Sequence, residues 1–162
     1  IRDWSWSRGL GDVYKRQVKD LIPGVAATAV EINSSAISKL KMIDDVKVIH
    51  GSILESNKIE MYDLAMVIGV LIHIAPKYLP LAYENIYRAT RRYILIGEYY
   101  SRQPEEVSYR GYKNKLFKRD FAGEMLDKYT DLRLVDYGFF YHKDESSKLD
   151  DITWFLMEKA DI

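Results

Sequence analysis

Cysteine is absent from this chain of 162 residues. Its absence excludes disulfides, thiolate metal sites and cysteine nucleophiles, and it fits a reducing cytoplasm. Only three histidines are present, His50, His73 and His142, so we predict no metal site. No apolar run reaches the length of a membrane span, and the N-terminal residues lack the long apolar core of a signal peptide. We therefore expect a cytoplasmic protein that does not act at a membrane.

Net charge is also absent, because 24 basic side chains balance 24 acidic ones. No overall field attracts the chain to nucleic acid, and we expect no nucleic-acid partner. The composition is that of a globular protein, 48% hydrophobic and 30% charged, and the length suits one domain. Tyrosine is abundant, with 13 residues. Its flat apolar face and hydroxyl suit pockets for polar, ring-shaped ligands.

The first 17 residues differ in character from the rest of the chain. They mix aromatic residues, basic residues and two glycines without a clear period. A nucleotide-binding glycine loop follows an apolar strand, and only scattered aromatics precede Gly9 and Gly11. We interpret residues 1–17 as a non-native segment that resembles translated adapter sequence, and residues 18–162 as a single domain. A degenerate glycine loop at Gly9 and Gly11 is the alternative.

Apolar runs alternate with helical patterns through the middle of the chain. The runs predict strands over residues 25–32, 46–49, 64–68 and 93–96. Between the last two of these strands, apolar residues from Leu79 to Ala89 recur at helical spacing. Such alternation predicts an α/β fold with a mostly parallel sheet. A sheet of this kind binds its ligand at the carboxyl ends of the strands.

The last third of the chain changes character. The segment 101–119 is long, polar and basic, and long connections in compact domains usually serve as lids or binding segments. A helix is predicted from Asp120 to Lys128. Residues 132–140 and 152–158 then read as two strands joined by a polar turn. Strands that follow each other without a helix pair antiparallel, so a terminal hairpin is predicted.

Side chains able to bind a ligand follow the predicted strands. Glu31 ends the first clear strand, where a carboxylate can accept hydrogen bonds from two ribose hydroxyls or simply face solvent. Ser52, in the next turn, can help to read a purine edge on which Ile53 packs, or the turn can be purely conformational. Gly69 follows the third strand and permits a ligand to approach the backbone closely.

Groups that could transfer a proton or grip the substrate lie nearby. His73, in an apolar segment, can accept a proton near neutral pH or be a satisfied core histidine. Glu98, beside Tyr99 and Tyr100, can bind a hydroxylated substrate or assist its deprotonation, or merely solvate a strand end. Arg110 is the best candidate for gripping an anionic substrate, and a solvated charged face is the alternative.

The order and spacing of these pieces resemble one family, the small S-adenosylmethionine-dependent methyltransferases associated with pseudaminic acid biosynthesis. The similarity runs from about Val18 to Lys159. It is carried by Glu31 after VAATAV, the GSI turn at 51–53, YDLAMVIGVLIHIAP at 62–76, YILIGEYYS at 93–101, LVDYGFFYHKD at 134–144 and DDITWFLMEK at 150–159. The resemblance implies a Rossmann-like class I methyltransferase fold, with a seven-stranded, mostly parallel sheet that ends in an antiparallel hairpin.

The resemblance also implies the ligands and their residues. The cofactor would be S-adenosylmethionine, and the methyl acceptor a hydroxyl or amine of a nonulosonic acid or related anionic sugar. His73 or Glu98 would accept the proton, and Tyr99, Tyr100 and Arg110 would hold the sugar. The implied cofactor residues are Glu31 and Ile32 at the ribose, Ser52 and Ile53 by the adenine, and Gly69 and Val70 at the methionine side.

One departure from the family is serious. The family's first strand and glycine-rich turn should precede Val18, where the foreign-looking segment lies. Loss of this central strand would leave buried backbone groups unpaired, at a cost of about 1–3 kcal/mol each. We therefore expect a truncated chain without a normal first strand or glycine loop, with weak or absent cofactor binding. The alternatives are a non-catalytic binding domain and a nicotinamide oxidoreductase, and the terminal hairpin argues against the latter.

Overall fold

The structure, a computed structural model, describes residues 2–6, 24–55, 60–109, 111–145 and 150–160. Its helices are α1 (Ser34–Leu40), α2 (Leu79–Arg88) and α3 (Phe121–Lys128), with short 3-10 helices at Leu71–His73 and Pro76–Tyr78. Its strands are β1 (Arg2–Trp6), β2 (Ala26–Glu31), β3 (Val46–His50), β4 (Tyr62–Ile68), β5 (Thr90–Glu98), β6 (Glu105–Tyr109), β7 (Tyr112–Lys118), β8 (Leu132–Phe140) and β9 (Ile152–Lys159).

Seven of these strands form one sheet in the order β3-β2-β1-β4-β5-β9-β8. Strands β1 to β5 run parallel, whereas β9 is antiparallel to both β5 and β8. The predicted α/β architecture, mostly parallel with an antiparallel terminal hairpin, is therefore confirmed. The prediction of a long loop over residues 101–119 is wrong in part, because β6 and β7 form a separate two-stranded hairpin within that segment.

A first strand is present, which corrects the expectation that the chain lacks one. Arg2–Trp6 lies between β2 and β4 and is parallel to both, with Trp4 opposite Thr28. The prediction required a continuous apolar run. Backbone groups form the ladder, however, and aromatic residues have high strand propensity. The glycine loop considered at Gly9 and Gly11 lies outside the described residues, and the non-native origin of residues 1–17 stays a prediction.

Both faces of the sheet are buried at β4. Ala65 and Val67 belong to the larger core, whereas Met66 and Ile68 belong to a smaller cluster that includes Ile152. Successive strand residues point to opposite faces. A strand covered on both sides therefore reads as a continuous apolar run, which is why β4 was predictable from sequence.

Side-chain caps fix the ends of the helices. The carboxamide oxygen of Asn33 and the carboxylate of Asp120 accept amide hydrogen bonds from the first turns of α1 and α3. Where α2 ends and β5 begins, Lys159 donates from Nζ to the carbonyl oxygens of Tyr87 and Thr90 at 2.7 and 2.5 Å. The bond to Tyr87 satisfies an acceptor that the helix end leaves open, and burial of the ammonium lowers the pKa of Lys159.

Strand β8 contains a bulge. Leu134 pairs with Met157 and Tyr137 pairs with Phe155, so two positions separate the partners in β9 but three separate them in β8. Val135 is the extra residue. Paired residues lie on the same face, so the bulge places Leu134 and Tyr137 together on one face. Their exposed fractions of 44% and 66% show that this apolar face is open at the β8 edge.

Two structural features are absent from the described ranges. None of the helices within them is long and apolar enough to cross a membrane. The same ranges hold no group of three or more His, Asp or Glu side chains arranged to bind a metal ion.

Candidate functional site

The strand ends expected to bind the cofactor lie at one edge of the sheet. Ser5 of β1 pairs with both Ala29 of β2 and Met66 of β4. Glu31 and Ile68, each two residues further along, are therefore level with one another. The registers of β3 and β5 continue this row. The ends of β2 and β4 are two strand spacings apart, roughly 10 Å.

Glu31 is buried at the end of β2. Its Oε1 accepts hydrogen bonds from the amides of Ile32 and Asn33 at 2.9 and 2.8 Å. These bonds orient the carboxylate, and Oε2 is then the oxygen able to accept from ligand hydroxyls. The neighbouring Ile32 is 62% exposed, and it presents an apolar surface on which a flat ring can pack. Both features suit a nucleoside.

Two side-chain hydrogen bonds help to hold the turn after β3. The hydroxyl of Ser52 accepts from the amide of Leu54 at 3.2 Å, and Asn85 of α2 donates from Nδ2 to the carbonyl of Ile53 at 2.7 Å. The side chain of Ile53 is fully buried in the main core. Ser52 therefore lies at the edge of the sheet, whereas Ile53 anchors the turn from below. The predicted contact of Ile53 with adenine stays a prediction.

Gly69 follows β4 with a positive φ of 66°, a conformation that glycine adopts at no steric cost. Its amide donates to the carbonyl of Gly97 at 2.9 Å. Among the described residues, a Cβ added at Gly69 would meet nothing within 4 Å beyond its chain neighbours. The space beside this backbone is therefore open, as the approach of a ligand requires. Val70, the next residue, is half-buried.

Glu98 ends β5 and is only 3% exposed. Its Oε1 accepts from the amides of Val70 and Leu71, both at 2.8 Å, and its Oε2 accepts from Ile72 at 3.5 Å. Burial raises the pKa of Glu98 to about 8, and these amide bonds oppose the rise. The carboxylate is thus directed into the loop after β4 rather than towards an open surface.

His73 lies in the 3-10 helix that follows the same loop. Its Nδ1 donates to the carbonyl oxygen of Lys115 in β7 at 2.9 Å. A carbonyl can only accept, so the bond defines the tautomer in which Nε2 carries the lone pair. Nε2 is therefore the ring atom able to accept a proton. The bond also ties the β6–β7 hairpin to the carboxyl edge of the sheet.

The three predicted substrate residues are placed differently. The hydroxyl of Tyr99 donates to the carboxylate of Asp150, and the ammonium of Lys118 lies 5.7 Å from the centre of the Tyr99 ring. Tyr100 is exposed at the same strand end. Arg110 lies outside the described residues, so its predicted role stays a prediction.

A narrow crevice, with no room for a water molecule, lies between Glu98, Tyr100 and Arg119. Arg119 donates from Nε to Glu124 at 2.7 Å, and Glu124 also accepts from the Tyr83 hydroxyl at 2.8 Å. Burial, followed by the bond to Glu124, raises the pKa of Tyr83. The charge of Arg119 is therefore compensated within the protein.

Sequence reasoning missed a side-chain pair at the turn between β8 and β9. Nδ1 of His142 donates to the carboxylate of Asp151 at 2.9 Å, and the backbone amide of His142 donates to it at 3.0 Å. These bonds hold the pKa of Asp151 below its usual range. The sequence could have indicated this pair, because antiparallel pairing brings together the residues that flank a hairpin turn.

No family model matches this chain, and no curated protein is similar to it. Solved structures are similar in fold. The 1,6-didemethyltoxoflavin-N1-methyltransferase of Burkholderia thailandensis, with bound 1,6-didemethyltoxoflavin and S-adenosylhomocysteine, is 15% identical; the match covers 99% of this chain and 71% of that chain, with a TM-score of 0.73.

Two further structures show the same likeness. A SAM-dependent methyltransferase from Methanosarcina mazei is 10% identical over 98% of this chain and 92% of its own, with a TM-score of 0.70. The N-methyltransferase NodS from Bradyrhizobium japonicum, in complex with S-adenosylhomocysteine, is 14% identical. The match covers 99% of this chain and 78% of that chain, with a TM-score of 0.69. Together with the strand order, these likenesses show that this chain has the class I methyltransferase fold.

Proposed function

We propose that this chain transfers a methyl group from S-adenosylmethionine to a hydroxyl or amine of a small anionic sugar of the nonulosonic-acid type. The observation that carries the proposal is the row of strand ends at one edge of the sheet. There an oriented carboxylate on Glu31 lies level with the open backbone at Gly69. The similar structures that contain S-adenosylhomocysteine support the choice of cofactor.

The residues at this edge fit the cofactor. Oε2 of Glu31 can accept from ribose hydroxyls, the exposed side chain of Ile32 can pack against the purine, and Gly69 leaves room for the methionine portion. When bound, S-adenosylmethionine supplies a methyl group that its sulfonium already activates. The main task of the protein is therefore to align donor and acceptor.

The proton released by the acceptor needs a base at the same edge. His73 suits this role because its Nδ1 bond to Lys115 leaves the lone pair on Nε2. Both oxygens of Glu98 already accept backbone amides, which makes it the weaker candidate. Tyr99 and Tyr100, directly after β5, complete the proposed acceptor site together with Arg110.

The expected weakness of cofactor binding depended on a missing first strand. Arg2–Trp6 supplies that strand between β2 and β4, so we now propose that the chain binds the cofactor. Residues 7–23, which follow β1 in the sequence, lie outside the described residues. A role in pseudaminic acid biosynthesis and a cytoplasmic location rest on the family resemblance and on the lack of cysteine.

Two measurements test this function. Calorimetry with S-adenosylhomocysteine should detect binding at micromolar concentrations, and its absence would overturn the proposal. Mass spectrometry should then detect a gain of one methyl group on nonulosonic acids but not on neutral hexoses offered in parallel. Binding without turnover on any acceptor would favour the non-catalytic binding domain instead.

A further inference from the structure

The loop after β4 presents three consecutive backbone amides to a single side chain. The amides of Val70, Leu71 and Ile72 all donate to the carboxylate of Glu98, which belongs to the neighbouring strand β5. Successive amides that converge in a turn form a concave site for an anion. Here the protein supplies the acceptor group from its own sequence, across a separation of 26 to 28 residues.

The end of β5 holds this loop at a second point. The amide of Gly69 donates to the carbonyl of Gly97, the residue before Glu98. Beyond the loop, the amide of His73 donates to the carbonyl of Val70 at 3.0 Å and begins the 3-10 turn. One short segment therefore sets the positions of both Gly69, on the cofactor side, and His73, the proposed base.

Glu98 is badly placed to act as a base itself. It is 3% exposed, and the groups that favour its charged form are the amides of this loop rather than a cation. Burial of a carboxylate is costly unless hydrogen bonds satisfy it. The burial of Glu98 therefore favours one conformation of the loop, because any displacement of the loop would leave the carboxylate without its hydrogen bonds.

We propose, building on the proposed function, that Glu98 is a positioning residue. Its carboxylate holds the loop from Gly69 to His73 in the conformation that presents Gly69 to the cofactor and His73 to the methyl acceptor. Glu98 does not take the proton of the acceptor.

Two substitutions at Glu98 test the inference. Glu98→Gln keeps the shape and one acceptor oxygen, whereas Glu98→Leu removes both acceptors. Glu158→Gln and Glu158→Leu are matched controls, because Glu158 is a glutamate of β9 that pairs with Arg92 on the surface. Hydrogen exchange of the amides of Val70 and Leu71 reports the loop, calorimetry with S-adenosylhomocysteine reports the cofactor site, and urea unfolding reports the whole fold.

We expect Glu98→Leu to speed exchange of the two loop amides at least about tenfold beyond any change in global stability, and to weaken S-adenosylhomocysteine binding by a similar factor. Glu98→Gln should change amide exchange and S-adenosylhomocysteine affinity less than Glu98→Leu does. Both Glu158 variants should leave these two quantities at their wild-type values. In turnover assays the KM for the cofactor should rise more than kcat falls.

Opposite results would overturn the inference. If Glu98 were the base, Glu98→Gln would lose turnover as fully as Glu98→Leu, while amide protection and cofactor affinity stayed at the wild-type level. If the wild-type protein failed to bind S-adenosylhomocysteine, the proposed function would fall. Hydrogen exchange would still show whether Glu98 holds the loop, so the two failures are distinguishable.

Discussion

Two side chains at the carboxyl edge of the sheet, His73 and Glu98, differ in the roles that their hydrogen bonds with the backbone give them. The bond from Nδ1 of His73 to a carbonyl leaves a lone pair on Nε2. The carboxylate of Glu98 accepts amides on both oxygens. At the scale of single residues, the first arrangement suits proton acceptance and the second suits the holding of a loop.

Replacement of His73 by Asn tests the first of these roles. The Asn side-chain amide can still donate to the Lys115 carbonyl, but it cannot accept a proton. We expect kcat to fall by about 10²- to 10⁴-fold, with S-adenosylhomocysteine affinity within about twofold of wild type in calorimetry. His142→Asn is the control, because it replaces a histidine of the β8–β9 turn, paired with Asp151, and leaves the loop after β4 unchanged. Wild-type turnover in His73→Asn would exclude His73 as the base.

The pH dependence of stability tests the environment of Glu98. Burial raises the pKa of Glu98 to about 8 in the folded chain, whereas an unfolded glutamate titrates near 4.3. Between these values the folded state binds more protons, so this group lowers the unfolding free energy as pH rises, by up to about 1.4 kcal/mol per pH unit. Urea unfolding between pH 5 and 8 should show this decline in wild type and its absence in Glu98→Gln. Parallel profiles would contradict the raised pKa.

The residues of the site were predictable only where local sequence decides their position. Glu31 and Gly69 follow apolar runs directly, so the end of the strand places them. The hydrogen bonds of Glu98 to Val70 and Leu71 were not predictable, because they join segments far apart in the chain and depend on how β4 and β5 pack. The pairing of His142 with Asp151 was missed even though the predicted hairpin brings them together.

At the scale of elements, the β8–β9 hairpin depends on a close contact between a glycine and an indole ring. Gly138 lies opposite Trp154, and a Cβ added at Gly138 would lie 2.7 Å from carbon atoms of the Trp154 ring. That distance is far shorter than an ordinary contact. The ring therefore occupies the space that any larger residue at position 138 would need.

Gly138→Ala should consequently displace the Trp154 ring and destabilise the hairpin. We expect a loss of about 1–3 kcal/mol in unfolding free energy, the usual cost of overpacking, measured by urea unfolding. Gly97→Ala is a graded comparison, because its Cβ would meet Ile68 and Ile152 at the milder distances of 3.3 and 3.4 Å. An equal or larger loss for Gly97→Ala would argue against this account.

Whether an element was predicted depends on how much of its structure the local sequence determines. The alternation of strands and helices between β2 and β5, and the terminal hairpin, follow from apolar periodicity, and both were predicted. The β6–β7 hairpin was predicted as a loop because its segment is polar and basic. Two of its residues, Leu116 and Phe117, are nevertheless buried, and only the packed structure shows that they anchor it.

At the scale of the whole molecule, β1 is the strand that joins the two halves of the sheet. On one side lie β2 and β3, and on the other lie β4, β5, β9 and β8. This strand was missed because RDWSW is not a continuous apolar run. Its role depends on backbone pairing with two partners that are themselves distant in sequence, which no local pattern reveals.

Substitutions at Trp4 test this central position. Proline lacks the amide that a central strand needs for its ladder, so Trp4→Pro should abolish cooperative thermal unfolding followed by circular dichroism, together with binding of S-adenosylhomocysteine. Trp4→Val keeps the amide and a high strand propensity, and it should retain both. Wild-type melting of Trp4→Pro would show that β1 is dispensable.

The bulge at Val135 has a consequence for how this hairpin can change during evolution. The side chains of a strand alternate between the two faces of the sheet. In a regular strand, one added residue therefore moves every later side chain to the opposite face. Here the bulge absorbs the added residue, so removal of Val135 would leave a regular strand in which Leu134 and Tyr137 still pair with Met157 and Phe155 on the same face. A substitution at Val135 alters only one side chain, because no residue of β9 is opposite it. The hairpin should thus accept both a substitution and the loss of one residue at this point more readily than elsewhere along β8.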